Sequence, residues 1–162
     1  MTITEGTRLP DARLMRIGQN GPEQVSLGEL LSGRKVIIFA VPGAFTATCH
    51  SAHVPSFIRT RDRLAEKGVD EIICVAVNDP HVMKAWGEAT GATAAGITML
   101  SDADGSYTTG IGMAFDAPPA GLFGRSQRYA MVVEDGTVKA LNMETQRGVC
   151  DLTGGEAMLE RL

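Results

Sequence analysis

The sequence is poor in the residues and spacings that mark secreted or metal-binding proteins. Its 162 residues contain three cysteines and three histidines, and no two cysteines have the Cys-x-x-Cys spacing. An odd number of widely spaced cysteines argues against a secreted disulfide framework, and the histidines do not bracket the cysteines as zinc ligands would. We therefore expect no metal and no other cofactor, and cysteines that are either inert core residues or redox-active groups.

Aromatic residues, long apolar runs and an excess of positive charge are also lacking. Aromatics make up 5% of the chain, so aliphatic residues and Met must fill most of the core. The net charge of −4, with scattered Lys and Arg, argues against nucleic acid or an anionic membrane as a partner. No apolar run approaches the roughly 18 residues of a membrane span. Residues 1–8 lack a signal-peptide pattern, so the expected location is the cytoplasm.

What the chain does contain is an alternation of strand and helix patterns within a length that suits a single domain, residues 1–162. Apolar runs with the length of strands lie at 12–17, 36–41, 71–77 and 97–100. Helix patterns lie at 26–32, 49–67, 78–91 and 152–162. Two further strand patterns, 128–134 and 137–143, are joined by Asp135-Gly136, a strong hairpin signal. This order predicts a thioredoxin-like α/β fold, with a central mixed sheet flanked by helices, a C-terminal hairpin and a closing helix.

The most informative segment is Val-Pro-Gly-Ala-Phe-Thr-Ala-Thr-Cys, residues 41–49. A buried strand, a Pro-Gly turn and a helix start bring Cys49 into the first helical turn, where free backbone N–H groups and the helix dipole favour a thiolate. Thr46, three residues earlier, can share a face with Cys49 and either donate to the thiolate or position an incoming oxygen. Pro42 can roof the pocket and exclude water. These are requirements of a cysteine that reduces peroxides, because charge then spreads over sulfur and both oxygens.

The pattern Pro42-x-x-x-Thr46-x-x-Cys49 resembles the active-site motif of the peroxiredoxins. The string 41–57 is similar to the type II, or peroxiredoxin-5-like, branch, and so are residues 68–80, 83–86 and 125–136 in the same order. The resemblance therefore covers nearly the whole chain. It implies an antioxidant, thiol-dependent peroxidase that reduces hydrogen peroxide and small alkyl hydroperoxides through a Cys49 sulfenic acid. It also implies a homodimer.

The resemblance further implies roles for individual residues. Cys49 would be the peroxidatic cysteine, Thr46 and Pro42 would hydrogen-bond and shield it, and Arg128 would fold in from the distant hairpin strand to face the thiolate. Spacing alone does not distinguish Arg128 from Arg125. The chain departs from the usual family pattern at two positions beside the nucleophile, which are Ala47, where proline is common, and His50, where serine is common. A histidine there could alter the thiol or the approach of a reductant.

Cys74 and Cys150 are the candidates for resolving the sulfenic acid. Cys74 lies inside the predicted strand 71–77, where an inert buried residue is the alternative, although some type II members have a resolving cysteine 25 positions after the peroxidatic one. Cys150 lies in a predicted loop, and its position is similar to the C-terminal resolving cysteine of atypical two-cysteine members. Neither is needed if glutathione or a glutaredoxin takes the sulfenic acid directly. Thioredoxin, in contrast, requires a disulfide to attack.

Four further expectations concern residues outside this motif. His53 and His81 are interpreted as surface or capping residues rather than catalytic ones, with the alternative that His53, one turn after Cys49, helps to shape the rim of the pocket. Residues 102–105 form a turn, since a calcium loop needs more acidic ligands. Residues 121–124 form an apolar loop that borders the active site or a dimer contact, or is an ordinary packed loop.

The alternative function is a thioredoxin-fold redox sensor, which needs a reactive Cys49 but no peroxide-shaped pocket.

Overall fold

The computed structural model describes all residues, Met1–Leu162, and has a seven-stranded mixed sheet at its centre. The nine strands of the chain are β1 (Arg13–Gly18), β2 (Gly21–Ser26), β3 (Lys35–Ala40), β4 (Glu71–Ala76), β5 (Thr98–Ser101), β6 (Ala114–Ala117), β7 (Leu122–Ser126), β8 (Tyr129–Glu134) and β9 (Thr137–Met143). The central sheet has the order β2-β1-β5-β4-β3-β8-β9, and β6 and β7 form a separate hairpin. Strands β3, β4 and β5 are parallel, and every other pairing is antiparallel.

The helices lie on both faces of the sheet. They are α1 (Leu27–Leu31), α2 (Val54–Glu66), α3 (Pro80–Thr90), α4 (Ser106–Gly110) and α5 (Gly155–Leu159). Two of the helices have a side-chain cap at their start. Ser26 accepts a hydrogen bond from the Glu29 amide, and Asp79 accepts one from the Val82 amide. None of the helices has the length and apolar character that crossing a membrane requires.

Alternate residues of β3 enter two different cores, which explains its continuous apolar run. Ile37 and Phe39 join the core under α2, α3 and α5, whereas Val36 and Ile38 join the core under α1 and α4. A strand covered on both faces has no polar side to show. The predicted thioredoxin-like α/β fold is confirmed, and so is the Asp135-Gly136 hairpin, whose two residues have φ of 47° and 81° as a type I′ turn requires.

Several segment predictions were wrong for identifiable physical reasons. The strand β2 was not predicted, because only its last residue is buried and no apolar alternation marks it. Residues 121–124, predicted as a loop, largely belong to β7, whose Phe123 is 64% exposed. The short helix α4 was not predicted. The closing helix begins at Gly155 rather than at residue 152, because the Glu144 carboxylate accepts hydrogen bonds from the backbone amides of Leu152 and Thr153.

Candidate active site

Cys49 is held at the start of a helix that begins irregularly. After β3 the chain turns through Phe45, which has a left-handed φ of 64°, a strained conformation for an aromatic residue and one that clusters at functional sites. Residues Cys49–His53 form a π-helical turn in which the Val54 amide donates to the Cys49 carbonyl, and α2 follows. Pro55 follows this π turn, within the first turn of α2. Such turns are frequent at functional sites, and this one leaves the Cys49 side chain with no exposed surface.

Arg128 reaches Cys49 from the start of β8, the strand next to β3 in the sheet. It directly precedes β8, which pairs with β3 so that Tyr129 lies opposite Ala40, and this register brings the arginine to the turn after β3. Its Nη2 donates to Cys49 Sγ at 3.1 Å. Arg125 instead donates to the Pro42 carbonyl at 3.5 Å. Of the two arginines that spacing could not distinguish, Arg128 is the one that contacts the sulfur.

Thr46 faces the site as a hydrogen-bond acceptor. Its hydroxyl donates to the Gly43 carbonyl at 2.7 Å, so its single proton is already used. The structure therefore does not show the first role expected for this hydroxyl, which was donation to the thiolate. The oxygen keeps lone pairs that can accept from the O–H group of a bound molecule.

A cavity of about 750 Å³ lies over the arginine and the threonine. Pro42, Thr46 and Arg128 line it together with the β6–β7 hairpin and residues 144–148. It is far larger than the roughly 30 Å³ that one water occupies in the liquid, so it can admit a small hydroperoxide with an organic substituent. The structure thus places three of the four predicted site residues in the lining of one cavity, and one of these, Arg128, contacts the buried Cys49.

His53 corrects the prediction that it is a surface or capping residue. It has no exposed surface, its Nδ1 lies 2.8 Å from Arg128 Nη1, and its Nε2 lies 2.9 Å from the Thr153 carbonyl oxygen. Burial, and next the charge of Arg128, lower the pKa of His53 to about 3. The signal that could have found it is its position four residues after Cys49, which puts both side chains on one helix face. His81, in contrast, is exposed as expected.

His50 takes part in a separate contact on the outer side of the helix start. Its Nδ1 accepts a hydrogen bond from the indole nitrogen of Trp86 at 3.0 Å, and its ring stacks on Phe45 with centroids 5.9 Å apart. The proton of the neutral ring is thereby fixed on Nε2. The histidine that replaces the usual serine thus connects the strained turn to α3.

The other two cysteines differ sharply in accessibility, and all three are free thiols. Cys74 is fully buried in β4, where burial, and next the neighbouring Cys49, raise the pKa of its thiol. Cys150 is half-buried, and burial raises its pKa as well. The strand and loop predictions for these two residues are confirmed. A sulfenic acid at Cys49 therefore has a buried neighbour within the sheet and a more accessible candidate in a loop.

The segment that carries Cys150 is folded around one carboxylate and held against the Cys49 helix. Glu144 accepts hydrogen bonds from the backbone amides of residues 151–153 and from the Thr153 hydroxyl. The Thr48 hydroxyl, next to Cys49 in sequence, donates to the Gly148 carbonyl at 2.7 Å. The C-terminal segment is thus attached to the site through side chains rather than through a shared strand.

Comparisons with known proteins agree with this geometry. The family model described as Redoxin matches residues 4–159. The chain is 44% identical to peroxiredoxin-2E-2, chloroplastic, of Oryza sativa subsp. japonica, over 99% of this chain and 73% of that protein. It is 44% identical to the reduced Prx3 of Vibrio vulnificus in complex with H2O2, with a TM-score of 0.90 over 98% of both chains. Peroxiredoxin 5 of Alvinella pompejana is 32% identical, with a TM-score of 0.84 over 98% of this chain and 97% of that one.

Proposed function

Since this chain belongs to the redoxin family, as a peroxiredoxin of the type II or peroxiredoxin-5-like branch, we propose that Cys49 is the peroxidatic cysteine of a peroxidase for hydrogen peroxide and small alkyl hydroperoxides. Membership of this family supports a thiol-dependent peroxidase with an antioxidant role. The observation that carries the proposal for Cys49 is the 3.1 Å contact between its sulfur and Arg128. The match to a structure of Prx3 with H2O2 supports the choice of peroxide.

The reaction is a displacement at oxygen. The Cys49 thiolate attacks one oxygen of the peroxide, so that an S–O bond forms as the O–O bond breaks. Sulfur is oxidised to a sulfenic acid, and the second oxygen leaves as hydroxide or alkoxide and takes a proton from solvent. Arg128 stabilises the negative charge that spreads from sulfur to the oxygens. Thr46, whose proton is held by Gly43, accepts the peroxide O–H and turns the reacting oxygen towards sulfur.

The redox-sensor alternative is less well supported by the same residues. A sensor needs only a reactive thiol, whereas here Pro42, Thr46 and Arg128 line one cavity of about 750 Å³, and Arg128 also contacts the cysteine. A cavity lined by a fixed cation and a free acceptor is suited to binding a small molecule with both an O–H and a developing negative charge. This arrangement supports turnover of a peroxide over a simple switch.

The direct test is to trap the product at Cys49. Reduced protein is mixed with one equivalent of hydrogen peroxide in the presence of dimedone, and the labelled peptide is identified by mass spectrometry. We expect the label on Cys49 within seconds and none in the Cys49→Ser variant. A free Cys49 thiol after that time would sink the proposal, and a label of equal intensity on Cys74 or Cys150 would assign the peroxidatic role elsewhere.

For the reductant we propose two routes that depend on whether a disulfide forms. Thioredoxin would require a bridge from Cys49 to Cys150 or Cys74, whereas glutathione with glutaredoxin would need only a mixed disulfide on Cys49. A bridge needs Cα atoms within about 7 Å of each other. The loop position and partial exposure of Cys150 favour it over Cys74, which pairs within the sheet on both sides.

Non-reducing peptide mapping after peroxide treatment distinguishes these routes. The samples are the wild type, Cys74→Ser and Cys150→Ser. A Cys49–Cys150 peptide that disappears only in Cys150→Ser would support the thioredoxin route. A sulfenic acid that persists in all three proteins and is converted by glutathione would support the glutaredoxin route.

We further propose a homodimer, on the basis of family membership. The two exposed phenylalanines, Phe45 and Phe123, are 52% and 64% exposed and offer apolar surface for such a contact. Light scattering coupled to size-exclusion chromatography tests this, since the 17.2 kDa chain should elute at twice its mass. The cytoplasmic location stays a prediction, and fractionation of the source cells would test it.

A further inference from the structure

The cavity beside the site is lined partly by apolar residues and partly by a polar segment that contains an arginine without a partner. We propose that this cavity selects organic hydroperoxides that carry a carboxylate, with Arg147 as the residue that binds the carboxylate. The proposal rests on the peroxidase function proposed above and names a substrate class for the same site. Arg147 lies outside the active-site motif, in the segment that follows β9.

The size of the cavity indicates a substrate larger than hydrogen peroxide. Its volume of about 750 Å³ lies within the range of roughly 300 to 1,000 Å³ that is usual for pockets that bind small organic ligands. Hydrogen peroxide, with two oxygen atoms, would leave most of this space to water. An organic hydroperoxide whose O–O group reaches Thr46 and Arg128 would instead extend its carbon skeleton into the rest of the cavity.

The β6–β7 hairpin supplies the apolar part of the lining. The residues that line the cavity from this region carry no charge, and they are Phe115, Ala117, Pro119, Ala120 and Leu122. Such a surface stabilises a carbon skeleton by removing its apolar area from water. It offers no partner to an ionised group, which therefore needs the polar part of the lining.

The polar part of the lining, residues 144–148, contains an arginine whose charge is free. Arg147 is exposed and forms no ion pair or hydrogen bond with another residue. The other arginine in the lining, Arg128, is already engaged with Cys49 and His53. A guanidinium binds a carboxylate through two parallel N–H···O bonds. Arg147 is therefore the group in the lining that can pair with a remote anionic group of a substrate.

The acidic residue in the lining has its partners elsewhere. Glu144 accepts hydrogen bonds from the backbone amides of residues 151–153 and from the Thr153 hydroxyl, so its oxygens are occupied within the C-terminal segment. The lining thus contains two arginines and one carboxylate, Glu144. Its net positive charge favours an anionic over a neutral substrate of the same shape.

The residue next to Arg147 is attached to the start of the helix that carries the nucleophile. The Gly148 carbonyl accepts a hydrogen bond of 2.7 Å from the hydroxyl of Thr48, which directly precedes Cys49. Thr48 and Gly148 both line the cavity. A substrate can therefore place its carboxylate on Arg147 while its O–O group is at the site of oxygen transfer.

The carboxylate takes no part in the reaction itself. The Cys49 thiolate forms a bond to one oxygen of the hydroperoxide as the O–O bond breaks, and the other oxygen leaves as an alkoxide that takes a proton from solvent. Cys49 is oxidised to a sulfenic acid, and the hydroperoxide is reduced to a hydroxy acid whose carboxylate is unchanged. Arg147 thus affects which hydroperoxide is bound rather than how the O–O bond is cleaved.

The test compares two hydroperoxides that differ only in charge. The probes are cumene hydroperoxide with a carboxylate in the para position and the methyl ester of the same compound. The measured quantity is the ratio of their second-order rate constants for Cys49 oxidation, obtained by quenching with an alkylating agent and mass spectrometry. The difference in chemical reactivity between the two probes is the same for every variant, so a change in this acid-to-ester ratio reports binding of the carboxylate.

We expect the acid-to-ester ratio of the wild type to exceed that of Arg147→Gln by roughly 3- to 10-fold, the range between an exposed ion pair and a bidentate one. Arg147→Glu should lower the ratio further, and the excess in the wild type should shrink as the salt concentration rises. Arg63→Gln is the matched control, because Arg63 is exposed on α2 and absent from the lining, and it should keep the wild-type ratio.

Leu122→Ala tests the apolar part of the lining. It should slow both organic probes several-fold relative to hydrogen peroxide and leave the acid-to-ester ratio unchanged. Equal ratios in the wild type and Arg147→Gln would overturn the proposal, and so would an equal drop in Arg63→Gln, because net charge alone would then explain the effect. If hydrogen peroxide does not oxidise Cys49 in the wild type, it is the proposed function that fails.

Discussion

Replacing Arg128 by glutamine should slow peroxide reduction by roughly 10²- to 10³-fold, the usual cost of losing one buried donor aimed at transition-state charge. The magnitude follows from the 3.1 Å contact between its Nη2 and Cys49 Sγ, in a site where the sulfur has no exposed surface. Charge that develops on sulfur and oxygen has no bulk water to replace the guanidinium. Glutamine can still donate one neutral hydrogen bond, so the loss should not reach the level of removing the thiol.

Arg125→Gln is the matched control, because it removes the same charge three residues away. Arg125 makes only a 3.5 Å contact with the Pro42 carbonyl, so its replacement should change the rate by less than about tenfold. The assay is rapid mixing with excess hydrogen peroxide, with alkylation and mass spectrometry of the Cys49 peptide at each time. Equal losses in the two variants would mean that net charge around the site matters rather than the contact with sulfur. A wild-type rate in Arg128→Gln would refute the role of the contact.

Three further predictions concern the acceptor, the buried histidine and the C-terminal segment. Thr46→Val should slow peroxide reduction about 10²-fold, whereas Thr46→Ser should stay close to the wild type, and equal rates for both would remove the acceptor role. The pKa of His53 is lowered from 6.5 to about 3 by burial and by Arg128, so the unfolded chain binds a proton that the folded chain does not between these values. The free energy of unfolding should therefore decrease as the pH falls below 6.5, by about 1.4 kcal/mol per pH unit from this residue. Urea unfolding at pH 7 and at pH 4.5 should show a smaller decrease in His53→Asn than in the wild type. Glu144→Gln should weaken the capping of the C-terminal segment and speed labelling of Cys150 by a thiol reagent, and unchanged labelling would show that the carboxylate does not hold it.

The sequence predicted the parts of the fold whose signals are local. The runs that became β3 and β4 are apolar on both faces, and Asp135-Gly136 has the residues that a tight hairpin turn demands. The strands β2 and β7 were missed because they are largely exposed and their residues do not alternate between apolar and polar. In physical terms, an edge strand is stabilised by backbone pairing, which leaves no mark on side-chain composition.

The candidate site was predictable only in part for the same reason. Pro42, Thr46 and Cys49 lie close together in the sequence, so their spacing along the chain predicts that they also lie close together in the fold. The approach of Arg128 depends on the antiparallel register of β3 and β8, which residue types near position 128 do not encode. The burial of His53 depends further on Thr153, a hundred residues away, whose carbonyl meets it only after the C-terminal segment has folded.

The site also has consequences for the redox cycle. Cys49 is enclosed, and the Cys150 segment is held by Glu144 and by the Thr48–Gly148 hydrogen bond. Any disulfide between Cys49 and Cys150 therefore requires local opening of the π turn, of the segment, or of both, which is an ordinary low-energy event for exposed loops. The Glu144→Gln variant should therefore form the Cys49–Cys150 disulfide faster than the wild type after peroxide treatment.

The central claim is that Cys49 alone, in the pocket of Thr46 and Arg128, reduces peroxide. The most direct measurement uses the Cys74→Ser, Cys150→Ser double variant, in which Cys49 is the sole thiol. The reduced variant is mixed with an equal amount of hydrogen peroxide, and residual peroxide and free thiol are followed over seconds. We predict that both disappear one for one at the wild-type rate. Peroxide that persists beside a free Cys49 thiol would contradict the account.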